Sequence, residues 1–202
     1  MAILKPMTFI RQWLTGSVST PWRWLIVVTM TLFLLGDQAA SSADEISKED
    51  QIKAAFIYNF TKFITWPSQH PASSGRTFVI GVLGEASIAT ELEKIARGRK
   101  IDGRLLEVRR LHSADEARSI HVLFVPAGEE SRISNRLDLL HSAGVLTIGE
   151  TERFAAHGGI ITFRTAADKI RFEINRDAAT RAGLKISPQL LKLAISTRQG
   201  QP

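Results

Sequence analysis

Between Thr77 and Gly149 the chain repeats one pattern: a short apolar, β-branched run, then a stretch with helical spacing that glycine stops. The runs are TFVIGVLG (77–84), IHVLFVP (120–126) and VLTIG (145–149). None alternates with polar residues as a half-wet strand would, so each reads as a strand covered on both faces. In the first intervening stretch Ile88, Leu92 and Ile95 recur at i, i+4 and i+7 before Gly98. A second helix is expected from Glu129 to Ser142, with Ile133, Leu137 and Leu140 inward, acids at its N-terminal dipole, and Gly144 beyond its end. Strand and helix in alternation predict an α/β domain with a mostly parallel sheet and helices on both faces.

Other stretches make that sheet mixed. Asp102-Gly103 tolerates the positive φ of a tight turn and joins Lys100-Ile101 to Arg104–Arg110 as a hairpin. GIITFR (159–164) and KIRFEIN (169–175) flank the turn TAAD, and the second alternates Ile170, Phe172 and Ile174 with Arg171 and Glu173. They read as an antiparallel hairpin extending one edge, with one wet face. A short polar helix is expected near Ser113–Ser119, and two helical pieces, 176–182 and 188–196, close the chain.

Ahead of the sheet, Gln51 to Pro67 (QIKAAFIYNFTKFITWP) predicts an amphipathic helix of about four turns. Its expected inner face is Ile52, Phe56, Phe60, Phe63 and Ile64, with Lys53 and Lys62 outside, and Pro67 ends it. Aromatics at this spacing are ordinarily core. Tyr58, Asn59 and Trp66 lie off the main face or at its end, which makes them the candidates for meeting a ligand or partner.

The first 43 residues read as a leader. Lys5, Arg11 and Arg23 precede the twelve-residue apolar run 24–35 (WLIVVTMTLFLL), and small residues lead to a cleavage position before Asp44. Twelve residues fall short of the roughly twenty that span a bilayer, and an uncleaved anchor is the alternative. Removing the leader leaves 23 basic and 19 acidic side chains, so the charge drops from +6 to +4 and residues 44–202 form the exported domain. Such mild basicity suits envelope polymers, membranes and proteins better than nucleic acid. The chain has no cysteine, which excludes disulfides, thiol catalysis and thiolate metal sites.

Open α/β sheets offer ligand sites beyond the carboxyl ends of their strands. There the sequence provides Gly84 and Glu85 after one strand and Gly149 and Glu150 after another. A glycine opening a helix can present N–H groups to an anion, but neither GxGxxG nor GxxxxGK[ST] occurs, and these glycines equally suit simple turns. The five histidines show no metal-type spacing, no GxSxG elbow is present, and no cofactor is called for. Arg97, Arg99, Arg104, Arg109 and Arg110 are the densest charge feature. They suit an acidic partner, with Arg109 and Arg110 as candidate contacts, or simply a solvated face.

Several stretches together carry a resemblance: KAAFIYNFTKFITWP after a leader, then FVIGVLG, GRKIDGRLLEVRRL, HVLFVP, VLTIGE, GGIITF and RFEINRDAATRAGLKISPQLLKLA. From about Lys53 to Ala194 the chain resembles the YfiR family. The resemblance implies a periplasmic, non-catalytic α/β protein. It would bind the periplasmic sensor domain of a membrane-bound diguanylate cyclase and repress it, lowering cyclic di-GMP and restraining biofilm. Membrane contact would then come only through that partner. The best-known members carry disulfide-forming cysteines and this chain has none, so redox control is not implied here. A homodimer stays open, as does a different reading, a periplasmic module binding a small molecule at the strand carboxyl ends. Intact-mass measurement of the exported protein is expected to place its N-terminus at Asp44; residues 1–43 still attached would indicate an anchor instead.

Overall fold

In the computed structural model, which describes residues 48–68, 70, 75–166 and 169–198, the chain is built around an eight-stranded sheet. Its elements are helix α1 (residues 48–60), β1 (Ile64–Thr65), β2 (Thr77–Leu83), α2 (Ile88–Ala96), β3 (Lys100–Ile101), β4 (Arg104–Leu111), β5 (Val122–Val125), α3 (Leu137–Ser142) and β6 (Leu146–Gly149). There follow α4 (Glu152–Ala156), β7 (Ile161–Ala166), β8 (Lys169–Asn175), α5 (Arg176–Arg181), β9 (Lys185–Ile186), α6 (Pro188–Leu193) and β10 (Ser196–Arg198). The leader, residues 1–43, lies outside the described residues, and residues 46–202 cluster as one unit.

The sheet order is β10-β8-β7-β6-β5-β2-β4-β3. Strands β4, β2, β5, β6 and β7 run parallel, β8 is antiparallel to β7, and β3 is antiparallel to β4. Taken in chain order, the five parallel strands lie 2-1-3-4-5, so the direction of winding reverses between β2 and β5. The expected α/β class and mixed, mostly parallel sheet are present. The β3–β4 turn takes the anticipated form, with φ of 49° at Asp102 and 79° at Gly103.

Apolar residues alternate between two core layers. Phe78, Ile80 and Val82 of β2 face α1, α2 and α5, whereas Val79 and Leu83 face Ile133, Leu137, Leu140 and Phe154. Helix α1 seats on the first layer through aromatic rings. Phe60 meets Phe163 at 5.9 Å and Phe172 at 4.8 Å between centroids, and Phe56 meets Phe172 at 5.8 Å.

The structure corrects several boundaries. The first helix stops at residue 60 rather than near Pro67, because Lys62 and Phe63 donate back to Asn59 and Phe60 and close a turn. The chain then straightens, and Ile64 pairs with Ile186 in the two-stranded sheet β1–β9. The inner face of α1 is also rotated: Lys53, Ala54, Ile57 and Phe60 are buried, whereas Ile52 is 47% exposed. The expected helix 129–142 is a 3₁₀ segment, Ala127–Arg132, followed by the short α3. The last helix ends at Leu193. Ser196–Arg198 then continues as β10, parallel to β8, so the β7–β8 hairpin lies one strand in from the edge.

This rotation separates two substitutions. Phe60→Ala is expected to cost about 3–5 kcal/mol in urea unfolding, as for a buried phenylalanine, and Ile52→Ala less than about 0.5 kcal/mol. Similar losses at both positions would restore the face that periodicity suggested.

Candidate functional site

Polar groups gather at both ends of the parallel strands, and the two ends are built differently. At the carboxyl ends, side chains of α1 reach across. The Ser87 hydroxyl donates to Asp50, and the Lys53 ammonium bonds to Glu150 and, at 2.6 Å, to Glu49. Glu150, just after β6, also accepts from the Ala127 N–H just after β5, at 3.1 Å. One carboxylate thus ties two strand ends to one helix. Burial opposes the charge on Lys53, but its bonds to Glu150 and Glu49 outweigh that and raise its pKa, so the cation persists. Nearby, Arg110 pairs with Glu93 and, at 3.5 Å, with Glu85.

The two glycines at these ends have packing roles. Gly84 holds φ +73°, and a Cβ there would come within 2.5 Å of Glu129 Oε1; a Cβ on Gly149 would overlap the Phe154 ring.

At the amino ends the groups are rings. His121, fully buried before β5, stacks on Phe78 at 4.2 Å and on His70 at 4.9 Å. Trp66 stands edge-on to Phe78 at 5.0 Å, and its indole N–H donates to the His121 carbonyl at 3.2 Å. The Val79 N–H donates to His121 Nδ1 at 3.1 Å, and Arg104 Nη1 lies 2.9 Å from Nε2. The Val79 N–H makes Nδ1 an acceptor, and protonating the ring would break that bond while setting a second positive charge beside Arg104. Burial, then His70 and Arg104, push the His121 pKa down to about 3. Burial and then Arg104 lower that of His70, and burial and then Arg181 lower that of His141 to about 4. These three rings are structural and neutral at pH 7 rather than poised for proton transfer. Outside this cluster, Tyr58 lies under Lys62 at 4.3 Å and under Arg99 at 5.0 Å, and a hydrogen bond from Arg99 lowers the pKa of its phenol.

Among the described residues no cluster of histidine and carboxylate side chains is fit to hold a metal, and no helix is long and apolar enough to cross a membrane.

The model of the YfiR/HmsC-like family matches residues 50–195, from α1 through the last helix. The chain belongs to that family. The family is one of regulators of diguanylate cyclase signalling. Among solved structures, a conserved domain protein from Vibrio cholerae O1 biovar El Tor is similar at 16% identity and a TM-score of 0.46, covering 59% of this chain and 54% of that one. An ABC domain from Streptococcus pneumonia, solved with L-Trp, is similar at 16% identity and a TM-score of 0.39, covering 60% and 55%. The chain thus spans about half the length of each, and likenesses this distant carry no argument about function. No curated protein matches significantly.

Within this YfiR/HmsC-like body the nine residues singled out by sequence fall into separate places. Glu85, Glu150, Gly84, Gly149 and Arg110 gather at the carboxyl ends. Trp66 lies at the amino ends, and Tyr58 and the exposed Asn59 adjoin it through Lys62, which donates to Asn59 at 3.2 Å. Arg109 is paired with Glu107 at 2.6 Å and joins neither group. Sequence reasoning did not single out Lys53 or His121, and it had Arg104 only as one member of the arginine cluster. Two of these had a signal: Lys53 stands four residues after Glu49, and His121 is the one polar residue in an otherwise apolar run.

The buried imidazoles set a pH dependence. In the unfolded chain a histidine titrates near 6.5, whereas folded His121 resists protonation until about pH 3. Between those values the unfolded state binds more protons. The stability that neutral His121 contributes above pH 6.5 is therefore lost as pH falls toward 3, at up to about 1.4 kcal/mol per pH unit. His70 and His141 act with the same sign. His121→Asn, which keeps an acceptor for Val79, is expected to flatten the fall of the urea midpoint between pH 6.5 and 4. Identical slopes in both proteins would show that this ring is not held neutral.

Proposed function

We propose that this chain is a non-catalytic periplasmic regulator that binds the periplasmic sensor domain of an inner-membrane diguanylate cyclase and represses it, lowering cyclic di-GMP and biofilm formation. The observation that carries this reading is the family match across residues 50–195, which takes in the central sheet and both of its helical layers. The structure supports it with groups that hold the body together rather than react: the enclosed histidines are kept neutral, and Lys53 and Glu150 are committed to each other.

Repression through binding requires that the domain favour the inactive cyclase, because a ligand with equal affinity for both states shifts nothing. A tenfold change in the active population corresponds to about 1.4 kcal/mol of differential affinity. One well-packed contact made in a single state suffices.

Deleting the gene is expected to raise cellular cyclic di-GMP and biofilm, and the tagged protein should capture a diguanylate cyclase from inner-membrane extract. Unchanged cyclic di-GMP in the deletion strain, with no cyclase captured, would end this reading.

A further inference from the structure

The arginines that cluster in the sequence are not equivalent in space. Arg109 and Arg110, toward the carboxyl end of β4, are neutralised by Glu107, Glu85 and Glu93. Among the described residues Arg104, at its amino end, meets one acid, Asp102, at 3.9 Å, and that carboxylate is 72% exposed. Beside it opens a cleft of about 720 Å³, lined among others by Thr61, Lys62, Trp66, Lys100, Asp102 and Arg104. This volume falls in the range of small-molecule sites, about 300–1,000 Å³. Among the described residues Lys62 reaches the Asn59 side-chain oxygen Oδ1 and the Tyr58 ring, and Lys100 makes no ion pair. Arg99, 5.0 Å from the centroid of the Tyr58 ring, adds a further cation close by.

Three cations therefore share this cleft with one acid. The Arg104 guanidinium is also held in place: the Asp102-Gly103 turn fixes the register of Ile101 with Arg104, and the His121 and Phe78 rings lie against it. Cations fixed before binding bind an anion with little ordering cost. Guanidinium and ammonium groups together suit phosphate or carboxylate oxygens, and Trp66 supplies an apolar wall.

We propose that this cleft binds a small polyvalent anion, one with at least two phosphate or carboxylate groups, between Lys62, Lys100 and Arg104. The site lies at the amino ends of the parallel strands, opposite the edge where sheets of this type usually take ligands, and it does not depend on the cyclase reading.

Inorganic pyrophosphate is the probe, titrated calorimetrically into the protein at fixed low ionic strength, because screening weakens exposed charges. Saturable binding is expected below about 1 mM, with a shift of the Trp66 indole resonance in ¹⁵N correlation spectra. The double substitution Lys62→Gln with Lys100→Gln, at residues outside the core, should weaken binding at least about tenfold, and Arg109→Gln should leave it unchanged. No heat and no Trp66 shift at about 10 mM pyrophosphate would overturn the proposal. So would undiminished affinity in the double variant, or an equal loss in Arg109→Gln, which would mark diffuse attraction to a basic surface.

Discussion

The seating of α1 on the sheet decides what both ends of the sheet present. Phe60 lies within 6 Å of both Phe163 and Phe172, rings carried by the two strands of one hairpin, and is 1% exposed. Burying a phenylalanine this fully contributes on the order of 2–3 kcal/mol, and ring pairs add about 0.5–1.5 kcal/mol. With the helix axis set by those rings, its first turns reach the strand carboxyl ends and its exit turn reaches the amino ends. The same contact thus delivers Lys53 to Glu150 at one edge and Lys62 and Trp66 to the cleft at the other.

Charge is treated oppositely at those edges. At the carboxyl ends a lysine and a glutamate, with side chains 10% and 18% exposed, complete each other, and the Ala127 N–H uses the remaining carboxylate oxygen. A buried pair gains little net stability because both ions lose water. What it adds is geometry, since β5, β6 and α1 must all be in place for Glu150 to satisfy its partners. At the amino ends Lys62 and Lys100 stand in open solvent, where leaving them unpaired costs little, and Arg104 is partly covered by His121 and Phe78. The edge that topology favours for ligands is thereby tied up by the chain's own side chains, and the opposite edge keeps its charge available.

The strands that core chemistry dictates were legible. Short, largely apolar, β-branched runs bounded by glycine or proline suit strands covered on both faces, and Asp102-Gly103 suits a tight turn. What sequence could not show was rotation and pairing. Ile52, Phe56, Phe60 and Phe63 have sound helical spacing, yet the buried face includes Lys53, because a carboxylate 97 residues later offers its ammonium a partner. Likewise Ile64–Thr65 and Lys185–Ile186 are too short to announce themselves and become strands only through each other. Glu150 was legible as a residue at a strand end, but its partner was not, and Arg104 looked no different from Arg109 until the fold gave one a nearby acid and left the other at a cleft.

The absence of cysteine limits how such a body can change state. With no cysteine, this chain offers no thiol–disulfide couple. A switch built on differential noncovalent contacts acts where the fold can yield without unfolding. The aromatic seat of α1 is unsuited, because its rings are enclosed and moving them opens the core. The amino-end cleft is better placed. Its cations sit at a helix exit and a tight hairpin, and Arg104 lines the cleft while its Nη1 lies against a buried imidazole. Anything that alters the charge around Arg104 alters the field at His121, so the fold couples an accessible surface to a buried ring through one side chain.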